Sequence, residues 1–218
     1  MQPAVSTDRR GTKAAAHCEV SVAPGSAQVF QFRLSDQRAM APADAFGGAF
    51  EQPFQTRRRE ADEFYATVIP PTLPADAQLV MRQAFAGMLW SKQYYYYPVG
   101  KWYNDDQLPP DCVQRRASNR NREWFHLESA DILSMPDKWE YPWFAAWDLA
   151  FHCMVLARVD LDFAKDQLRL MTNQVYLHPN GQIPAYEWNF SDVNPPVHCK
   201  ASWHVYLMEK AYRGKGDR

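Results

Sequence analysis

The sequence predicts a mainly α-helical protein, assembled from helical hairpins of the kind that pair inner with outer helices in toroidal barrels and preceded by a short β segment. Three observations predict it. WFAAWDLAFHCMVLARV, starting at Trp143, is apolar on every face except at Asp148 and His152, so it requires burial on all sides. DFAKDQLRLMTNQVY follows across the short turn at Asp160-Leu161-Asp162 and has the one-sided pattern of an outer helix, over about 162–176. Ahead of both, AAAHCEVSVA and QVFQFRLS carry β-branched and aromatic residues on either side of Pro24-Gly25-Ser26, which predicts a hairpin of two strands within 12–35.

Two strands are marginal alone in water, so residues 1–36 are expected to close a larger β domain. From about Thr56, Glu60, Phe64, Tyr65 and Val68 recur at helical spacing until Pro70-Pro71, and residues 37–74 read as a linker and helix. Pro74-Ala75-Asp76 opens another helix, whose apolar stripe through Leu79, Val80, Met88 and Trp90 continues to about Tyr97, before Pro98 and Gly100. Pro98 to Pro142 reads as a long irregular stretch containing an Arg/Asn cluster (Arg115 to Arg122), then Trp124 and His126. After HPNGQIPAYEWNFSDVNPP a last helix is expected from Pro196 or Val197 to about Tyr212. Residues 75–218 are thus expected to be the first, truncated part of a helical domain that needs more hairpins to close.

Composition narrows the function classes. Twenty-four basic residues against 25 acidic ones leave no positive surplus to neutralise phosphates, so no nucleic-acid partner is expected. There is no run of about eighteen apolar residues, and MQPAVSTDRRGTKAAAH lacks the apolar core of a signal peptide; the expectation is no membrane and a cytoplasmic location. Cys18, Cys112, Cys153 and Cys199 are widely spaced. The pairs His17-Cys18, His152-Cys153 and His198-Cys199 place adjacent side chains in diverging directions, so neither a metal nor another cofactor is expected. Eight Trp, 11 Tyr and 12 Phe, many beside polar or Pro-rich stretches, suit either an aromatic core or a wet concave site in which rings pack on the C–H face of a sugar.

Asp148 is the residue most suited to chemistry. It lies between Trp147 and Leu149 in a helix built for burial, where desolvation disfavours the carboxylate and raises its pKa. A carboxylic acid kept protonated near neutral pH is what a general acid needs to protonate a leaving-group oxygen. The same residue also reads as a buried Asp satisfied by capping or by an Arg partner.

MPDKWEYPWFAAWDLAFH (Met135–His152), HPNGQIPAYEWNFSDVNPPVH (His178–His198) and NREWFHL (Asn121–Leu127) closely resemble bacterial members of glycoside hydrolase family 63, often labelled glucosidases and related to mannosylglycerate hydrolases. The resemblance runs over nearly the whole chain from Gly11. It implies a β-sandwich followed by an (α/α)6 barrel, hydrolysis with inversion, and a carbohydrate substrate. By this resemblance Asp148 is the catalytic acid, and Trp139, Tyr141, Trp143, Tyr186, Glu187, Trp188 and Asn189 lie at or near the sugar pocket. The general base, a Glu of a late hairpin, is expected beyond Arg218. Two departures from the pattern stand out: relatives run several hundred residues longer, and Cys199-Lys200 stand where a small and an aromatic residue are expected.

Glu140 and Glu187 are the local carboxylates that could replace such a base, because an inverting pair needs carboxyl groups about 6.5–9.5 Å apart. The expected function is an inverting, α-glucosidase-like hydrolysis of a small saccharide or glycoside, with this chain alone inactive. The alternatives are a non-catalytic carbohydrate-binding remnant and a helical interaction module.

Overall fold

The structure, a computed structural model, describes residues 10–36, 41–104, 109, 111, 114, 124–137, 144–183 and 194–217. It divides the chain into two units, Met1–Glu60 and Ala61–Arg218. In the first, the expected turn forms. Ser26 N donates to Ala23 O at 3.1 Å, and Gly25 adopts φ 74, a left-handed conformation that glycine takes at no steric cost. The two predicted strands do not form, because no ladder joins the segments on either side of the turn. Val20, Val22, Val29, Phe32 and Leu34 stay exposed, and a ribbon that covers no apolar face gains nothing to offset its ordering.

Helix α1 (Pro42–Ala45) is one turn, and α2 (Gly48–Val68) begins eight residues before the expected Thr56 and contains Pro53. Helix α2 buries none of its residues. Local pairs support it instead, among them Gln55 with Glu51 and Arg57 with Glu60.

In the second unit α3 (Ala75–Trp90) ends seven residues earlier than its apolar stripe suggests, and Lys92–Pro98 forms strand β1. The reason is a period change. In KQYYYYP, Tyr94 and Tyr96 point to solvent as a stacked pair 6.5 Å apart, while Tyr95 and Tyr97 pack against the core, the two-residue alternation of a strand. Leu79, Val80 and Trp90 of α3 are exposed, and Phe85 carries its burial.

After α4 (Val99–Tyr103) comes β2 (Glu128–Ser134), which pairs antiparallel with β1 from Lys92↔Ser134 to Pro98↔Glu128. Part of the stretch from 98 to 142 is therefore ordered as a strand. It was not legible because ESADILS lacks clean alternation, and its partner lies thirty residues upstream.

The expected helical hairpin forms. Helix α5 (Ala146–Leu156) and helix α6 (Leu161–Met171) are joined through Asp160, whose Oδ1 accepts from Phe163 N at 2.9 Å and caps α6. Helix α6 stops at Met171, short of the expected 176. Helix α7 (Val197–Arg213) starts where expected and ends one residue past the expected Tyr212, at Gly214, left-handed at φ 75. Lys200 and Cys199 are exposed. With its helices and a two-stranded sheet, the described chain is mainly α-helical. Among the described residues no helix is long and apolar enough to cross a membrane.

Helix α5 is central. It packs against α6, α7, α3 and β2, and Leu149, Ala150, Cys153 and Leu156 have 0% exposure. Burial on all sides does not occur, however. Phe151 and Val155 are 40% and 39% exposed and form, with the half-buried Trp147, a stripe at four-residue spacing on the other face.

Helices α6 and α7 are also joined by ions. Lys165 Nζ lies 3.0 Å from both Glu209 Oε1 and Asp217 Oδ2, and Asp217 N donates to Glu209 Oε2 at 2.8 Å. The Asp217 N–H first, then Lys165, hold the Glu209 carboxyl below the usual carboxylate range. A depressed folded pKa adds stability above the ordinary Glu range and loses it as pH falls through the folded value.

Leu149→Ala is expected to cost about 2–5 kcal/mol in urea unfolding, because the cavity opens at the centre of the core. Glu209→Gln should flatten the acid limb of the stability profile below about pH 4.5 while leaving its neutral-to-alkaline shape unchanged, as followed by circular dichroism. In size-exclusion chromatography the chain should self-associate through the Trp147–Phe151–Val155 stripe, and the double change Phe151→Ser and Val155→Thr should shift it toward monomer.

Candidate functional site

The entrance to α5 is built by aromatic packing. Phe144, two residues before the helix, stacks edge-on against Tyr95 of β1 at 5.9 Å and Tyr176 at 5.4 Å, and lies 6.4 Å from Trp124. The rings are fixed by hydrogen bonds. Trp124 Nε1 and His126 Nε2 donate to Leu177 O at 3.1 and 2.7 Å. Tyr176 Oη donates to Asp131 Oδ2 at 2.8 Å and lies 2.5 Å from Ser129 Oγ, which donates to Tyr95 O. Burial, first, pushes the Tyr176 phenol far above its ordinary range, so it stays a neutral donor.

This frame pins the ends of two loops. Gln93 Nε2 donates to Asp137 O at 2.6 Å, and Asn194 Nδ2 donates to Ile183 O at 3.2 Å, joining the residues that flank 184–193. The residues expected to line a sugar pocket, Trp139, Tyr141, Trp143, Tyr186, Glu187, Trp188 and Asn189, lie outside the described residues, as does Glu140. What is placed are flanking residues: Asp137 against Gln93 of β1, and Ile183 with Asn194 beside Ala146 and Trp147 at the α5 N-terminus. A cleft of about 250 Å³ opens there, lined by Trp147, Ile183, Asn194, Pro195 and His198. Trp147 reaches it, and Asp148 is not among its described lining residues.

Asp148 occupies the third position of α5, half-buried. Among the described residues no Arg partner or capping bond reaches its carboxylate. Burial raises its pKa, the charge of His152 opposes that, and the first-turn N–H groups favour the anion as well. His152, one turn on, is moved the other way: burial lowers its pKa, and the Asp148 charge and a hydrogen bond with Ser134 partly restore it. Its Nδ1 lies 3.0 Å from Ser134 Oγ.

Sequence reading marked His152 only as the second polar residue of an apolar helix. Ser134 and Gln167 gave no signal, since a serine ending a strand and a glutamine on an amphipathic helix are ordinary.

Among the described residues no group of three His, Cys, Asp or Glu side chains is placed to hold a metal ion. Cys153 is buried with its thiol pushed up to about 12, whereas Cys18 and Cys199 are exposed.

No family model and no solved structure matches the chain. It is 44% identical over 224 residues to the uncharacterized protein YMR196W of Saccharomyces cerevisiae, a match that covers 99% of this chain and 20% of that protein. The chain thus spans about a fifth of the relative's length.

Asp148→Asn discriminates between an acid held for chemistry and a structural carboxylate. A raised folded pKa favours folding only below it and costs stability as pH rises from the ordinary Asp value through the folded one. The Asn variant is therefore expected to be at least as stable as the parent at pH 7, with the difference vanishing below about pH 4, in parallel urea titrations.

Proposed function

We propose that the chain carries the acid-bearing part of an inverting glycoside hydrolase of the (α/α)6 type, acting on an α-linked glucoside or related small saccharide. The observation that carries the reading is Asp148. It is a half-buried carboxyl group without a described partner, its pKa raised by burial, in the first turn of the central helix and next in the chain to Trp147, which lines the cleft. Such a group donates its proton to the departing glycosidic oxygen while a second carboxylate activates water on the opposite face of the sugar.

The resemblance of Met135–His152 and His178–His198 to glycoside hydrolase family 63 points the same way, and it supplies the sugar contacts proposed for Trp139, Tyr141, Trp143 and Tyr186 to Asn189. Helix α5 as inner and α6 as outer member of a hairpin, with the Trp147–Phe151–Val155 face open to further hairpins, fits the toroid. Residues 12–35, with exposed Val20, Val22, Val29, Phe32 and Leu34, carry the β propensity from which a β-sandwich edge is proposed. The base comes from outside this segment, so turnover belongs to a longer polypeptide containing it.

In such a polypeptide, Asp148→Asn is expected to lower hydrolysis of alkyl α-glucosides by about 10²–10⁴-fold and to spare nitrophenyl glucosides, whose leaving group needs little protonation. An equal loss on both substrates, or no turnover of any α-glucoside by the parent, overturns the reading.

A further inference from the structure

Helix α5 has two polar side chains, Asp148 and His152, and four-residue spacing puts them on one face a single turn apart. His152 is not left to choose its rotamer. Ser134, the last residue of β2 and fully buried, presents its Oγ 3.0 Å from His152 Nδ1. Ser134 is fixed in turn, because its N–H donates to Gln167 Oε1 at 2.9 Å and Gln167 Nε2 donates to Ile132 O at 2.9 Å. Gln167 is 3% exposed, and a buried amide that completes two backbone bonds at a strand end is a rigid support. Three elements, β2, α6 and α5, thus converge on one imidazole beside the proposed acid.

We propose that His152 is a positioning residue for Asp148: held by the Ser134–Gln167 relay, it keeps a switchable positive charge one helical turn from the acid and so sets the pH range over which Asp148 retains its proton. The inference rests on the reading of Asp148 as a general acid. Burial moves the two groups in opposite directions, the carboxyl upward and the imidazole downward, and the charge of each acts on the other. Burial raises the Asp148 pKa, and the His152 charge opposes that rise.

Of the other titratable groups on the packed elements, Asp76, Glu128, Lys200, His204 and Lys210 are exposed, and the following are engaged elsewhere. Asp131 of β2 meets Tyr176, and Arg82 of α3 meets Asp62. On α6 and α7, Lys165, Asp162, Glu209 and Arg213 form their own cluster, Asp166 pairs with Arg169, and His198 bonds to Leu168 O. None of them contributes to the shift of either member of the pair.

The test is a carboxyl-carbon and imidazole NMR titration of the 218-residue chain, without sugar. In His152→Gln, which keeps a polar partner for Ser134 but no charge, the proton affinity of Asp148 should rise about three- to tenfold. The reciprocal variant, Asp148→Asn, should lower the proton affinity of His152 by the same factor, since coupling between two sites is mutual. A histidine with a merely structural role would change stability and leave the Asp148 midpoint unmoved. An unmoved midpoint in either folded variant, or a shift of opposite sign, overturns the proposal. Because the readout needs no turnover, coupling in a chain whose longer polypeptide cleaves no glycoside would sink the hydrolase reading alone, and normal acid catalysis without coupling would sink this one alone.

Discussion

Leu149, Ala150, Cys153 and Leu156 lose all contact with solvent on one face of α5, and α3, α6, α7 and β2 reach the core by packing on that face. Each fully buried leucine of such a stripe contributes about 1.5–3 kcal/mol, more than any surface pair in the molecule can supply. The small residues matter as much as the large. Ala146 and Ala150 let neighbouring elements approach the helix closely, and Ala164 of α6 and Ala201 of α7 do the same from the other side. With α5 fixed in this way, the position of every residue along it is settled, including the two that could carry chemistry.

Asp148 and His152 sit at the border between the buried face and the open Trp147–Phe151–Val155 stripe. That border explains their opposed titration shifts. Enough solvent is removed to disfavour charge on both, yet no salt bridge among the described residues restores it to either. A fully buried position would need a partner to be tolerated, and a fully exposed one would leave ordinary groups of little catalytic use.

The aromatic frame around Phe144 plays a different role. Tyr95, Trp124, Tyr176 and Phe144 come from four separate stretches of chain, and the polar tips of Trp124 and Tyr176 are tied to Leu177 O and to Asp131. Phe144 carries the frame into the residues that precede α5, so the start of that helix is held against β1 and Tyr176.

The sequence by itself determined the elements with their own local signals: the α5–α6 hairpin through the short turn at Asp160-Leu161-Asp162, α7 from Val197 to about Tyr212, and the turn at Pro24-Gly25-Ser26. It also singled out Asp148, because a charged residue in an apolar helix is a local anomaly that needs no neighbour to be noticed. Only the tertiary structure decided that KQYYYYP is a strand, since a run of four tyrosines satisfies either period until ESADILS pairs beside it. Tertiary structure likewise left residues 12–35 unpaired, where β propensity was high but nothing lay alongside to accept the ladder. The relay from Gln167 through Ser134 to His152 was invisible for the same reason. Its members are ordinary residues thirty-three and eighteen positions apart, and what makes them a unit is a set of hydrogen bonds that exists only after β2, α6 and α5 have packed.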